Sequence, residues 1–431
     1  MEGNYRYFNT HYNVLDRLPS TKEASRLFRS KLKTIFLAAA ITFMAISLIV
    51  YPQEALNASI RGLKMWWEIV FPSLLPFFIV SELLIGFGVV KFIGVILEPL
   101  MRPIFKVPGV GGFVLAMGWS SGNPAGAKFS ARLRQEGQLS QIEAERLVSF
   151  TNSSNPLFIF GAVSVGFFHN PKLGMLLALA HYLGNIAVGV IMRFYGKETP
   201  DERKGNRLNI RAAFSALHQT RIKDNRPIGK LLGDAVQSSF QTLLMVGGFI
   251  ILFSVINQLL YHLHITAALA KIVEVLFSFL SFPDSLSIPF ISGLFEITLG
   301  SKLTSEVQDA TLLQQAILTS FILGFGGFSV QAQVGSILAQ TDIRFKPFFI
   351  ARIMQGIFAG IFTVIFWNPV YIKLNGHEQS SHGLPVLGNG EPSQGIYQRL
   401  VETGPLITII SLCFYVLFLY LQIKNQNMKK S

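Results

Sequence analysis

The stretch GWSSGNPAGAKFSARLRQEG, residues 118–137, places small, polar and helix-breaking residues between two strongly apolar flanks. A second interruption, TNSSNP at 151–156, cuts the apolar segment 141–168. Hydrocarbon offers no partner to a free amide or carbonyl, so unwound backbone at membrane depth survives only where protein buries it or water lines it. Composition makes hydrocarbon the relevant solvent. Of the 431 residues, 50% are hydrophobic and 14% charged, whereas soluble domains carry about 25% charged residues. The expected class is an all-α polytopic membrane protein.

The formal charge of +13 is accounted for by basic loops on the cytoplasmic side, and no nucleic-acid partner is expected. The single cysteine, Cys413, excludes an intrachain disulfide. A basic tail (1–32) is too long for the lead of a cleavable signal peptide, so the first transmembrane helix (33–51) is retained with its N-terminus inside. A first repeat (60–194) then holds a span at about 65–88 and an amphipathic interfacial segment at 91–105, too short and too charged to cross. A re-entrant hairpin around 118–137, a broken helix over 141–168 and a span at 173–194 complete it.

Residues 195–230 form a basic linker; from Arg193 to Lys230 there are ten lysines or arginines. The order then returns in a second repeat (231–372). It has a span at 235–260, a short apolar segment at 266–282, a proline- and glycine-broken stretch FPDSLSIPFISGLFEITLGSKL, an interrupted helix at 310–340 containing LGFGGFSVQAQ, and a span at 348–372. Aligning Gly118 with Gly293 and Ser149 with Ser320 gives a nearly constant offset. Three crossings and one hairpin per unit turn the second copy upside down, an inverted repeat. An external loop (373–404) and a last helix and tail (405–431) bring the expected total to about eight crossings. Lysine and arginine crowd the segments this topology places inside, and both termini come out cytoplasmic.

Two hairpins and two broken helices in matching positions point to a central cavity. In the first hairpin, Trp119, Ser120, Ser121, Gly122, Asn123 and Gly126 offer a stacking ring, side-chain donors and backbone amides, and a helix beginning near Pro124 aims partial positive charge at the break. The first broken helix adds Thr151, Asn152, Ser153, Ser154 and Asn155. In the second copy the hairpin carries Glu296, Thr298, Gly300 and Ser301, and the broken helix Gly324, Gly326, Gly327, Ser329, Gln331 and Gln333. A carboxyl at membrane depth costs roughly 2.5–3.5 kcal/mol on insertion scales, so Glu296 reads as a proton carrier, a cation ligand or a substrate contact, with a solvated position at the hairpin tip as the alternative.

Other motifs are weak. His262 and His264 lack metal spacing on one helix face, and no metal site is expected. Trp66 and Trp67 suit an interfacial aromatic belt. No Walker, HExxH or GxSxG motif occurs, so no cofactor and no enzyme activity is expected.

The run MGWSSGNPAGAKFSARLRQEGQLSQIEAERLVSFTNSSNPLFIFGAV (117–163) resembles the YlbJ-type sporulation integral membrane proteins, within the wider group of nucleoside-recognition (Gate) domains. The resemblance covers roughly residues 35–425 and is looser in the second copy. It implies residence in the outer forespore membrane and movement of dipicolinic acid out of the mother cell. The polar break residues above are the ones it carries over. Dipicolinate is a flat pyridine with two carboxylates, for which neutral donors, a helix N-terminus and the Trp119 ring are compatible partners. A nucleoside or inorganic-ion carrier, or a scaffold docking through its basic linker, remain the alternatives; the oligomeric state is open.

Overall fold

Apolar runs bounded by proline, glycine and capping serine or threonine become helices throughout the computed structural model, which describes residues 21–196, 210–224 and 226–373. No strand occurs among the described residues. Met1–Asn375 and Gly376–Ser431 are separate units. The expected external loop (from residue 374), the last crossing and residues 1–20 of the tail lie outside the described residues.

Helix α1 (Thr21–Val50) begins ahead of the expected start and keeps apolar side chains such as Phe36 and Ile49 exposed. An unexpected helix follows at once. α2 (Pro52–Met65) starts on Pro52, whose missing N–H is no loss in a first turn, with Glu54 beside the positive helix end. A π-helical segment, Trp66–Val70, joins it to α3 (Phe71–Gly86). Trp66 faces protein rather than lipid. It is buried, its Nε1 donating to the Leu243 carbonyl at 2.9 Å, because α2 packs closely on a long later helix; Trp67 is exposed.

The amphipathic segment is α4 (Val89–Phe105), which meets α5 (Val110–Ser121) at a bend of 84°. After the break come α6 (Ala125–Gln135), α7 (Gln141–Thr151), a π-helical segment Leu157–Phe167, and α8 (Pro171–Met192). The basic linker is not loop alone: α9 (Ile210–Asp224) packs on α4, with the Phe92 and Phe214 rings 5.0 Å apart.

The second repeat runs α10 (Ile228–His262), α11 (Ile265–Phe279), α12 (Ser287–Phe295), α13 (Ile297–Glu306), α14 (Leu312–Phe325), α15 (Gly327–Leu338) and α16 (Phe345–Phe366), the last ending in a π-helical segment Trp367–Ile372. Capping boxes at Ser140 with Glu143 and at Thr311 with Gln314 start the two broken helices alike. Among the described residues five helices are long and apolar enough to cross a membrane, or up to seven if each bent pair is one span.

Contacts fix the sense of the two broken helices. The first begins where Glu145 pairs with Arg344 at the start of α16 and ends with Phe167 and Phe168 on the apolar cluster that Leu312, the first residue of α14, also packs against. The second therefore starts at that far end, and its last residues precede Asp342, back beside Arg134. The two run in opposite directions, as an inverted repeat requires.

Candidate functional site

Each hairpin closes on a glycine crossing. In the first, a Cβ added to Gly118 would strike the Thr151 carbonyl and lie 3.4 Å from the Gly126 Cα. In the second, a Cβ at Gly300 would collide with the Gly293 backbone. Only residues without a side chain let two helical arms touch there, which brings the breaks to one level. Gly122, at φ 92°, turns the first hairpin, and Gly326, at φ 84°, opens the second broken helix. Both conformations are ones that side-chain-bearing residues rarely adopt.

The four breaks surround a single cavity of about 670 Å³. From the first hairpin it is lined by Ser121, Gly122 and Asn123, and from the first broken helix by Ser154 and Asn155. Glu296 and Thr298 of the second hairpin face them, with Gly326, Ser329 and Gln333 of the second broken helix. Apolar side chains of α2, α3 and α10, among them Met65, Leu74, Val246 and Ile250, form the remaining wall. The lining is lopsided. It climbs α13 as far as Lys302 and the π-helical segment to Phe167, and includes Arg61 and Asn257, but takes nothing from α6 beyond the break.

The opposite end is clasped. Arg134 of α6 makes two short contacts with Asp342, at 2.8 and 2.6 Å, and Gln141 donates to the Asp342 carbonyl at 2.6 Å. Arg344 meets Glu145 at 2.7 and 2.9 Å, and the Tyr195 hydroxyl donates to the same carboxylate at 2.9 Å. The Arg134 guanidinium holds the Asp342 carboxyl below the usual carboxylate range.

Ten of the sequence-selected residues line the cavity: Ser121, Gly122, Asn123, Ser154, Asn155, Glu296, Thr298, Gly326, Ser329 and Gln333. Glu296 is buried and caps its own helix, accepting from the Thr298 and Leu299 amides at 2.9 and 2.7 Å. Asn155 is committed inside the protein: it donates to the Ser121 carbonyl at 3.0 Å and accepts from Phe158 N at 2.8 Å.

The other eleven sit off the lining: Gly300 forms the second crossing with Gly293, Gly324 and Gly327 flank Gly326, and the rest are held away for local reasons. Trp119 packs on Tyr182, ring centroids 4.8 Å apart, so it is engaged by α8. Ser120 is exposed and turned back onto the Ala116 carbonyl. Gly126 is the crossing point. Thr151 bonds the Leu147 carbonyl within its own helix. Ser153 lies 2.8 Å from His181 Nε2, behind the break, and Asn152 is fully buried. Ser301 is buried on α13, and Gln331 donates to the Phe325 carbonyl at the end of α14.

Sequence reasoning passed over the residues that hold the breaks open. On α8, His181 accepts from the Ser154 amide at 3.1 Å, Tyr182 donates to the Ser154 carbonyl at 3.1 Å, and Asn185 donates to Ser153 Oγ at 3.1 Å. From α16, Arg352 donates to the Asn152 carbonyl at 2.6 Å and to the Gly324 carbonyl. The available signal was a polar or charged side chain inside an otherwise apolar span. No cluster of three or more metal-ligating His, Cys, Asp or Glu side chains occurs among the described residues.

Residues 67–169 and 243–341 match the Gate family, described as nucleoside recognition. Those two ranges contain the two hairpins and two broken helices. The chain is also 55% identical, over 93% of its length and 99% of the relative's, to the sporulation integral membrane protein YlbJ of Bacillus subtilis (strain 168). The chain belongs to the YlbJ family. Like YlbJ it is an integral membrane protein by its apolar helices. A solved structure, CNTnw N149S, E332A in an outward-facing state, matches 80% of this chain and 88% of its own at 14% identity with a TM-score of 0.37.

Proposed function

We propose that this chain is a carrier that binds a small anionic solute in the cavity and exposes it in turn to the two faces of the membrane. One observation carries the reading: the breaks of both halves line the same space, which reaches the exposed Arg61 and Lys302 and stops short of the Arg134–Asp342 clasp. Asn123, Thr298, Ser329 and Gln333 are its proposed polar contacts. The amino end of α15 reaches the cavity at Gly326 with no side-chain cap, and amides there favour a carboxylate. Glu296 does not oppose this strongly, since two amides of α13 already engage it.

The proposed solute is dipicolinate, carried from the mother cell across the outer forespore membrane, with both termini on the mother-cell side. That the relative is a sporulation protein supports the setting, and the uncapped amino end of α15 supports the charge. A second reading, a nucleoside, draws on the family description and on the carboxyl group in the lining. Purified full-length protein in liposomes separates them. Uptake of dipicolinate above protein-free vesicles, without uptake of uridine, is the expected result. Uptake of uridine alone overturns the solute, and uptake of neither overturns the carrier.

A further inference from the structure

Arg352 lies in the middle of α16, 1% exposed, and no carboxylate of the described residues comes within ion-pair distance of it. A buried guanidinium normally has one, because leaving its charge uncompensated is costly. Its partners are carbonyls. One arm donates to the Asn152 carbonyl at 2.6 Å and to Asn185 Oδ1 at 3.4 Å, and the other to the Gly324 carbonyl.

Those two carbonyls have a common property. Asn152 is the extended residue that directly follows the last residue of α7, and Gly324 is in the last turn of α14. Each broken helix therefore turns the carboxyl end of its first half, where partial negative charge collects, toward the same guanidinium. Two helix ends stand in for the missing carboxylate. The cavity lies just past both breaks: Ser154 and Asn155 follow Asn152 closely in the lining, and Gly326 follows Gly324. With the negative ends neutralised from behind, the cavity faces the uncapped amino end of α15 at Gly326.

We propose that Arg352 is a positioning residue that sets the sign of the cavity: its charge, held against the carboxyl ends of α7 and α14, gives the cavity its preference for anionic over neutral or cationic solutes. It contacts no solute itself. The inference deepens the carrier reading and rests on it for the identity of the cavity, but not on dipicolinate being the solute.

A thiol in the lining reads the local potential without any substrate. In full-length protein carrying Cys413→Ala and Asn123→Cys, reconstituted in nanodiscs, the quantity measured is the ratio of modification rates by an anionic and a cationic methanethiosulfonate reagent of similar size. The ratio should favour the anionic reagent, fall by about fivefold or more with Arg352→Gln, and survive Arg352→Lys, which keeps the charge but not the forked geometry. An unchanged ratio in a monodisperse Arg352→Gln protein overturns the proposal. Should that variant not fold, a ratio lost in Arg352→Lys, or a starting protein that favours the cationic reagent, overturns it equally. If liposomes take up no dipicolinate but the ratio responds as expected, the solute assignment falls and the role of Arg352 stands; uptake with an unresponsive ratio gives the reverse.

Discussion

Arg134 and Asp342, the first on a hairpin arm and the second in the turn between α15 and α16, form a two-pronged ion pair at 2.8 and 2.6 Å that ties one repeat to the other. It stands at the end of the molecule where the cavity has no lining. Both side chains are partly exposed, so such a pair contributes only about 0.2–1 kcal/mol. That is little for stability and enough to shift the balance between two conformations.

Asp342→Asn should therefore leave folding intact and loosen the clasp. Spin labels at positions 135 and 341, in a Cys413→Ala background, should gain a longer-distance component in the variant, its population rising about two- to fivefold. An unaltered distance distribution would show that this contact does not gate anything.

The same clasp has a defined pH response. Arg134 depresses the Asp342 carboxyl below its unfolded value, so the stabilisation is complete above that unfolded value and fades as pH falls through the lower folded one. Label distances in the unsubstituted clasp should hold steady from about pH 7 down to about pH 5, and lengthen only below about pH 4. Opening between pH 6 and 7 would assign the response to another group.

Glu296 should be more than a helix cap. Glu296→Gln keeps acceptor capacity, while Glu296→Ala removes it and should cost about 1 kcal/mol of hairpin stability. Both should change solute affinity measured by calorimetry if the carboxyl faces the solute; only the alanine variant should lower the melting temperature. Equal affinity in all three proteins would leave Glu296 with the cap alone.

Asn123→Ala and Ser120→Ala make an informative pair. Asn123 lines the cavity, and Ser120 bonds back to its own helix. Uptake into liposomes should drop severalfold in the first and stay unchanged in the second, with both proteins monodisperse. The opposite order would move the site away from this cavity.

The glycine crossings predict a folding defect. Gly300→Ala puts a methyl group into the Gly293 backbone and should destabilise by about 1–3 kcal/mol or more. Gly233→Ala, in open space on α10, should be neutral or stabilising by up to about 1 kcal/mol. Thermal melting in detergent distinguishes them, and a wild-type melting curve for Gly300→Ala would refute the crossing.

The breaks were readable because hydrocarbon penalises every unpaired amide, so small, polar and proline residues in an apolar run mark unwinding wherever they fall. That logic located both hairpins and both broken helices. It did not say which side chains around a break face inward. Ser121 and Ser120 are adjacent in sequence, yet only the first lines the cavity. Asn152 and Asn155 were equally plausible, and the turn of the unwound chain buries one and commits the other to the hairpin. The helix at Pro52–Met65 was missed because its buried face is made of small residues, Ala55, Ala58 and Gly62, which add little to local hydropathy.

Sequence alone determined the class, the places of the breaks and their repetition, since each depends on local hydropathy and on where backbone bonding must fail. Tertiary structure decided what keeps the failures bearable. Arg352 reads as an anomalous cation in an apolar span until α7 and α14 deliver two carbonyl ends to it from opposite directions. The partners of an unwound segment lie on other helices, at distances along the chain that no local pattern encodes.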